Sequence, residues 1–236
     1  MRYLALLAAL LLTTVLPLGA ADKDDKAPGI TVDKEKRTIT VACKVAPRKI
    51  DDPAFKEIYP IEVVASWPFR KDPPGGLKAH ETVVTFDFDT KPSMVHQALV
   101  DLGLKPGKPV KGGEAVPEGP EVKIFFEFEG SDGQPKKIPA QRALVGPNPK
   151  FKMPEFRWRF TGSVMKQPDP NKPDLKVYGA DISGTLISVF PVTDETVFQT
   201  QMSMKEEKYL KLDTNKEALP MVGKPVKLII EVPEAK

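Results

Sequence analysis

Apolar and polar residues alternate along most of this chain with a period of two, the mark of strands that cover a core on one face. The pattern is clearest over residues 79–88. There His80, Thr82, Val84, Phe86 and Phe88 face one way, and Glu81, Val83, Thr85 and Asp87 the other. Similar alternation runs through Thr38–Val45, Val122–Glu129, Phe156–Val164 and Thr196–Met202. Ile61–Trp67, Ile182–Phe190 and Val226–Val232 are more continuously apolar, as buried strands are. One helix interrupts the series. Lys91-Pro92-Ser93 opens it, Val95, Ala98, Leu99 and Leu102 form its apolar stripe, and Gly103 with Pro106 ends it. Ser93 is expected to cap the exposed amides at its start. The fold class is therefore mainly β, about ten strands in a sandwich-like or mixed-sheet arrangement, with one short helix after the His80 strand.

Connections follow the glycines and prolines. The chain has 25 prolines, about twice ordinary usage, which excludes long helices and places most prolines at edges and turns. Asp33–Arg37 reads as a charged hairpin tip, and Ser131-Asp132-Gly133 turns the chain toward a partner strand at Lys136–Ala140. Gln141–Val145 fits either helix or strand, and Lys205–Leu212 one or two helical turns. The stretch Pro106–Pro120 is the clearest loop, expected to be a long connection inside one domain. Pairing of the Ile61 and His80 strands would bring Glu62, Trp67 and the loop Asp72–Gly76 beside His80-Glu81.

The first residues read as a sorting signal. Arg2 is followed by an apolar run, Leu4–Leu18, too short to span a bilayer comfortably, and by Gly19-Ala20-Ala21 for cleavage. This predicts a signal peptide at 1–21, a disordered segment at 22–29, one β-rich domain at 30–232 and a tail at 233–236. The mature protein is expected to be exported, periplasmic or extracellular, without a membrane span. The full chain's formal net charge of +3, which becomes +2 without Arg2, is close to neutral and forms no basic stripe, so nucleic acid is not an expected partner. The single cysteine, Cys43, excludes an intrachain disulfide and four-cysteine iron–sulfur ligation, and its place beside Ile39 and Val41 predicts a buried, inert thiol.

The order His80-Glu81, Lys91-Pro92-Ser93, His96-x-Ala98-Leu99-x-x-Leu102-Gly103, Pro106-Gly107 resembles the YdjY-like domain of bacterial exported proteins. Trp158–Ser163, Gly184–Val189 and Leu219–Val226 extend the resemblance over nearly all of the mature chain. The resemblance implies an envelope protein and brings no catalytic residue with it. A ferredoxin-like label attached to some members does not suit a chain with one cysteine.

Two constellations are candidates for function. His80, Glu81 and His96 include both histidines of the chain, and imidazoles with a carboxylate suit a catalytic metal such as zinc. Adjacent strand residues point to opposite faces, however, so His80 and Glu81 are not expected to share one metal. Packing at the strand–helix junction is the ordinary role for both imidazoles. Trp67, Phe69, Trp158 and Phe160 form the second constellation, an aromatic platform for a sugar or peptide, with Trp67 expected to be exposed. No nucleophile elbow or phosphate loop is present. The expected function is a non-enzymatic accessory or binding protein of the envelope, without cofactor, whose partner is an envelope protein or polysaccharide. Its ligand-binding candidates are His80, Glu81, His96 and Trp67. The competing reading is a metal-dependent envelope enzyme using His80 and His96.

Overall fold

The computed structural model describes residues 29–148 and 150–234. The expected leader and the segment up to residue 28 lie outside them. In chain order the strands are β1 (Ile30–Asp33), β2 (Thr38–Val45), β3 (Val63–Ser66), β4 (Thr82–Phe86), β5 (Glu121–Glu129), β6 (Pro135–Pro139) and β7 (Leu144–Val145). They continue as β8 (Trp158–Phe160), β9 (Met165–Lys166), β10 (Val177–Tyr178), β11 (Thr185–Ser188), β12 (Phe198–Thr200), β13 (Asp213–Thr214) and β14 (Pro225–Glu231). The helices are α1 (Pro92–Asp101), α2 (Gly179–Ser183) and α3 (Met204–Glu207). The protein is mainly β, as the periodicity predicts.

The sheet closes on itself. Ten strands form one sheet in the order β1-β2-β14-β5-β8-β12-β11-β3-β4, with β6 added on β5, and β4 returns to pair with β2. Closure depends on two strands that divide one edge between two neighbours. Residues 38–41 of β2 pair with β1 and residues 43–45 with β4, while the other edge takes β14. In the same way β5 gives residues 121–122 to β8 and 125–129 to β6. Closure removes most open edges, and β6 carries Pro135 and Pro139, which cannot donate to a further strand. The sheet is mixed, as one of the two expected arrangements has it: β3–β4 and β11–β12 pair in parallel and the other neighbours antiparallel.

Inside the ring the alternating residues meet. Ile39, Val41, Cys43 and Val45 of β2, Val122, Ile124, Phe126 and Phe128 of β5, and Val226, Leu228 and Ile230 of β14 are all buried. Val95, Ala98 and Leu99 of α1 join the same core. The Cys43 thiol is buried as expected, and loss of solvation pushes its pKa up, which keeps it a poor nucleophile.

Local departures from the periodicity have identifiable causes. Pro92 is the first helical residue of α1, so Ser93 lies inside the helix and its own N–H lacks an acceptor. Asp181 of α2 supplies it, accepting from Ser93 N at 2.8 Å and from Ser93 Oγ. The cap therefore comes from another helix. Ile182, expected in a strand, lies in α2, because Gly184 in the left-handed conformation (φ 71°) stops a helical turn there. Residues 140–145 form a 3-10 turn followed by β7, so both readings of that stretch hold. The Pro106–Pro120 connection is bound to the ring. Fully buried Gln199 takes the place of a neighbouring strand, accepting from Val110 N at 3.0 Å and donating to Val110 O at 2.8 Å.

Candidate functional site

His80 and Glu81 are not in a strand. They lie in a 3-10 turn, Ala79–Glu81, immediately before β4. Lys78 and Glu81, three residues apart, make this turn: Glu81 N donates to Lys78 O at 3.0 Å, and Lys78 Nζ reaches Glu81 Oε2 at 2.6 Å. The turn removes the constraint that adjacent side chains diverge. His80 Nε2 consequently lies 2.9 Å from Glu81 Oε1. The parallel pairing of β3 and β4 then brings in Glu62, whose Oε2 accepts from Lys78 Nζ at 2.9 Å. Four groups stand in a chain: Glu62, Lys78, Glu81, His80.

Their charges are unevenly held. Burial, and then a hydrogen bond to Glu81, push the Glu62 carboxyl up to about 7. Burial also opposes ionisation of Glu81, but bonds from His80, Glu62 and Lys78 outweigh it and hold this carboxyl down to about 2. Glu81 is therefore the carboxylate, and Glu62 shares a proton with it near neutral pH. Since an ionised Glu81 can only accept, His80 Nε2 donates to it. His80 Nδ1 is buried and, among the described residues, has no hydrogen-bond partner. Phe55 stacks on the imidazole (centroids 4.3 Å apart, planes 30°), and the edge of Tyr59 closes in at 5.0 Å. Arg48 ties the surround together, donating to His80 O at 3.2 Å, to Tyr59 O, and to Asp213 Oδ1 at 2.8 Å.

His96 has a different setting, on α1. Its Nδ1 lies 2.7 Å from the Tyr178 hydroxyl, and its ring meets the edges of Tyr178 and Phe160. Burial pushes the Tyr178 phenol up and the His96 imidazolium down, so both are neutral. The backbone of Ser163 also bonds to the phenol oxygen and partly offsets the effect of burial on it. Several pieces of the sequence resemblance converge here. Gly162 (φ 68°) lies so close to Pro106 and His96 that an added Cβ would stand 2.9 Å from Pro106. Ser163 Oγ accepts from Ala180 N at the start of α2.

Strand β4 separates the two histidines: His80 precedes its first residue and His96 follows its last. Among the described residues, no group of three or more His, Cys, Asp or Glu side chains is placed to hold a metal. The aromatic platform does not form. Trp158 and Phe160 are in the core, and Trp67, expected to be exposed, is buried with Nε1 donating to Thr90 O at 3.0 Å. Trp67 follows the far end of β3 from Glu62, so only Glu62 joins the His80 cluster. Phe69 packs edge-on against Phe55.

Sequence reasoning missed Lys78, Arg48, Phe55, Tyr59, Tyr178 and Asp213 as neighbours of the histidines. The three-residue spacing of Lys78 and Glu81 was the available signal for a turn. Nothing local marks Asp213, which arrives from 165 residues beyond Arg48.

A closed-sheet protein with a half-buried acid–base cluster at the entry to one strand is the class that this geometry defines. The family profile of the YdjY domain matches residues 30–231, and the chain belongs to that family. No curated protein and no solved structure matches it. No helix among the described residues is long and apolar enough to cross a membrane.

Proposed function

We propose that the protein is an exported, non-enzymatic accessory or binding protein of the bacterial cell envelope. The observation that carries the choice of binding over metal catalysis is the separate engagement of the two histidines. His80 is committed to Glu81 and a stacked phenylalanine, His96 to the Tyr178 phenol, and neither setting brings in the other. The leader pattern of residues 1–21 and the family support export.

Fractionation of a bacterial host expressing the full chain, with mass spectrometry of the product and its metals, tests this reading. The expected product is residues 22–236 in the envelope or periplasmic fraction. A full-length cytoplasmic product would overturn export. A stoichiometric transition metal lost in both His80→Ala and His96→Ala would overturn the preference for binding.

A further inference from the structure

The cluster at the entry to β4 is more polar than a structural junction requires. A buried ion pair needs one cation and one anion, and Lys78 with Glu81 supplies both. Glu62 adds a second carboxyl, whose burial costs the fold an ionisation range: its proton is retained up to about 7. His80 adds a buried ring nitrogen, Nδ1, that has no hydrogen-bond partner among the described residues. Buried polar groups are ordinarily satisfied, so a second carboxyl beside an already matched ion pair and an imidazole nitrogen without a partner ask for a reason.

The cluster is also reachable. The side chains of Glu62 and Lys78 remain 20% and 32% exposed, and Tyr59, against the His80 ring, is 38% exposed. The Phe55 ring that covers His80 also lines a hollow of about 450 Å³ with Asp52, Phe69, Arg70, Lys71 and Leu77, to which Glu62, Lys78, His80 and Tyr59 do not contribute. The segment 51–60 carrying Phe55 and Tyr59 has no strand or helix.

The available groups select the ligand. Lys78 offers donors, Glu62 an acceptor that becomes a donor when protonated, and Tyr59 an aromatic face with a hydroxyl. Neighbouring hydroxyls on a ring each need one donor and one acceptor at hydrogen-bond distance, which an ammonium beside a carboxyl provides. The apolar face of such a ring lies flat on an aromatic side chain. A strongly charged ligand is disfavoured, because Lys78 and Glu81 already neutralise each other and Arg48 is matched by Asp213.

We infer that Glu62, Lys78 and His80, with Tyr59 as stacking surface, form a binding site for a neutral saccharide ring. This rests on the binding reading above and gives that reading a ligand class. Sugar hydroxyls meet Glu62 and Lys78 at the surface, and a hydroxyl admitted past Phe55 gives His80 Nδ1 its missing hydrogen-bond partner. The stacking surface expected of Trp67 is thereby placed at Tyr59, on the opposite end of β3.

The test is an NMR titration of the isotopically labelled mature chain with water-soluble N-acetylglucosamine oligomers and, separately, neutral glucose oligomers. One of the two series is expected to shift the Tyr59 and Lys78 signals and the His80 imidazole nitrogens, at millimolar or lower concentration. Replacing Tyr59 by Ala is expected to weaken that binding at least about tenfold, the loss of one stacking contact. Glu62→Gln, which keeps the shape of the side chain, is expected to weaken it several-fold. Tyr209→Ala, at an exposed tyrosine elsewhere (57% exposed), is expected to change nothing. No shift with either series, or equal affinity in Tyr59→Ala and the parent, overturns the inference. Binding of spermidine or of a glucuronic acid oligomer in preference to the neutral series also overturns it. Export and metal content are read in separate experiments, so failure here leaves the binding reading standing with another ligand.

Discussion

The two histidines are held at different ring nitrogens in opposite surroundings. His80 donates from Nε2 to Glu81 and leaves Nδ1 without a partner, whereas His96 bonds through Nδ1 to the Tyr178 hydroxyl. His80 is fixed by a charge and His96 by a neutral phenol. The difference teaches what each region tolerates. Around His96 every polar group has a local structural task, holding α1, α2 and β8 together. Around His80 groups are left over, and the leftover groups are those that a ligand can use.

The largest expected effect is at the charge. Glu81→Ala leaves Lys78 with one carboxyl and strands the His80 N–H, and is expected to lower stability by about 3 kcal/mol in denaturant unfolding. A loss under about 1 kcal/mol would mean that the cluster is solvated rather than structural. His96→Ala comes next. It leaves the Tyr178 hydroxyl unpaired, with an expected loss of about 1–3 kcal/mol, and unchanged thermal unfolding would count against packing as its role.

The pH dependence divides the two sites by sign. Glu62 is raised in the fold, so its stabilising contribution is complete below its unfolded value of 4.5 and is lost as pH rises toward 7. Glu81 is lowered, so its contribution is complete above 4.5 and is lost as pH falls toward 2. His96 is lowered as well, and its contribution is lost as pH falls below its unfolded value of 6.5. Unfolding midpoints from pH 4 to 8 should therefore decline on the alkaline side because of Glu62 and on the mildly acid side because of His96. Glu62→Gln should flatten the first limb and His96→Asn the second. If one variant flattened both, the two regions would be coupled and the contrast between them lost. The smallest effect belongs to Tyr178→Phe. It should cost about 1 kcal/mol and shift the His96 imidazole nitrogen signals, because the hydroxyl that meets Nδ1 is gone.

Much of the sheet was legible in the chain, because a period of two is written residue by residue. β2, β5 and β14 and the apolar stripe of α1 follow directly from it. What alternation does not encode is which edges meet, and ring closure through the divided edges of β2 and β5 is a property of pairing. The site was half legible. His80 and Glu81 were readable as chemistry, yet their divergence on a strand was the wrong inference, since the Lys78–Glu81 contact turns the chain before β4 begins. Trp67 illustrates the other limit. A proline-bounded tryptophan reads as exposed, but its indole N–H finds Thr90 O and Gly184 offers a flat contact, so the ring is buried.

The placement of β14 between β2 and β5 has a consequence for how the chain acquires its structure. The seven pairs that β14 makes with β2 join residues 38–44 to residues 225–231, almost the two ends of the described chain. Such contacts are late and slow, because a long loop must close before they form. The ring cannot be completed until its last strand is available. The segment that locks the sheet is the last strand of the ring to be synthesised.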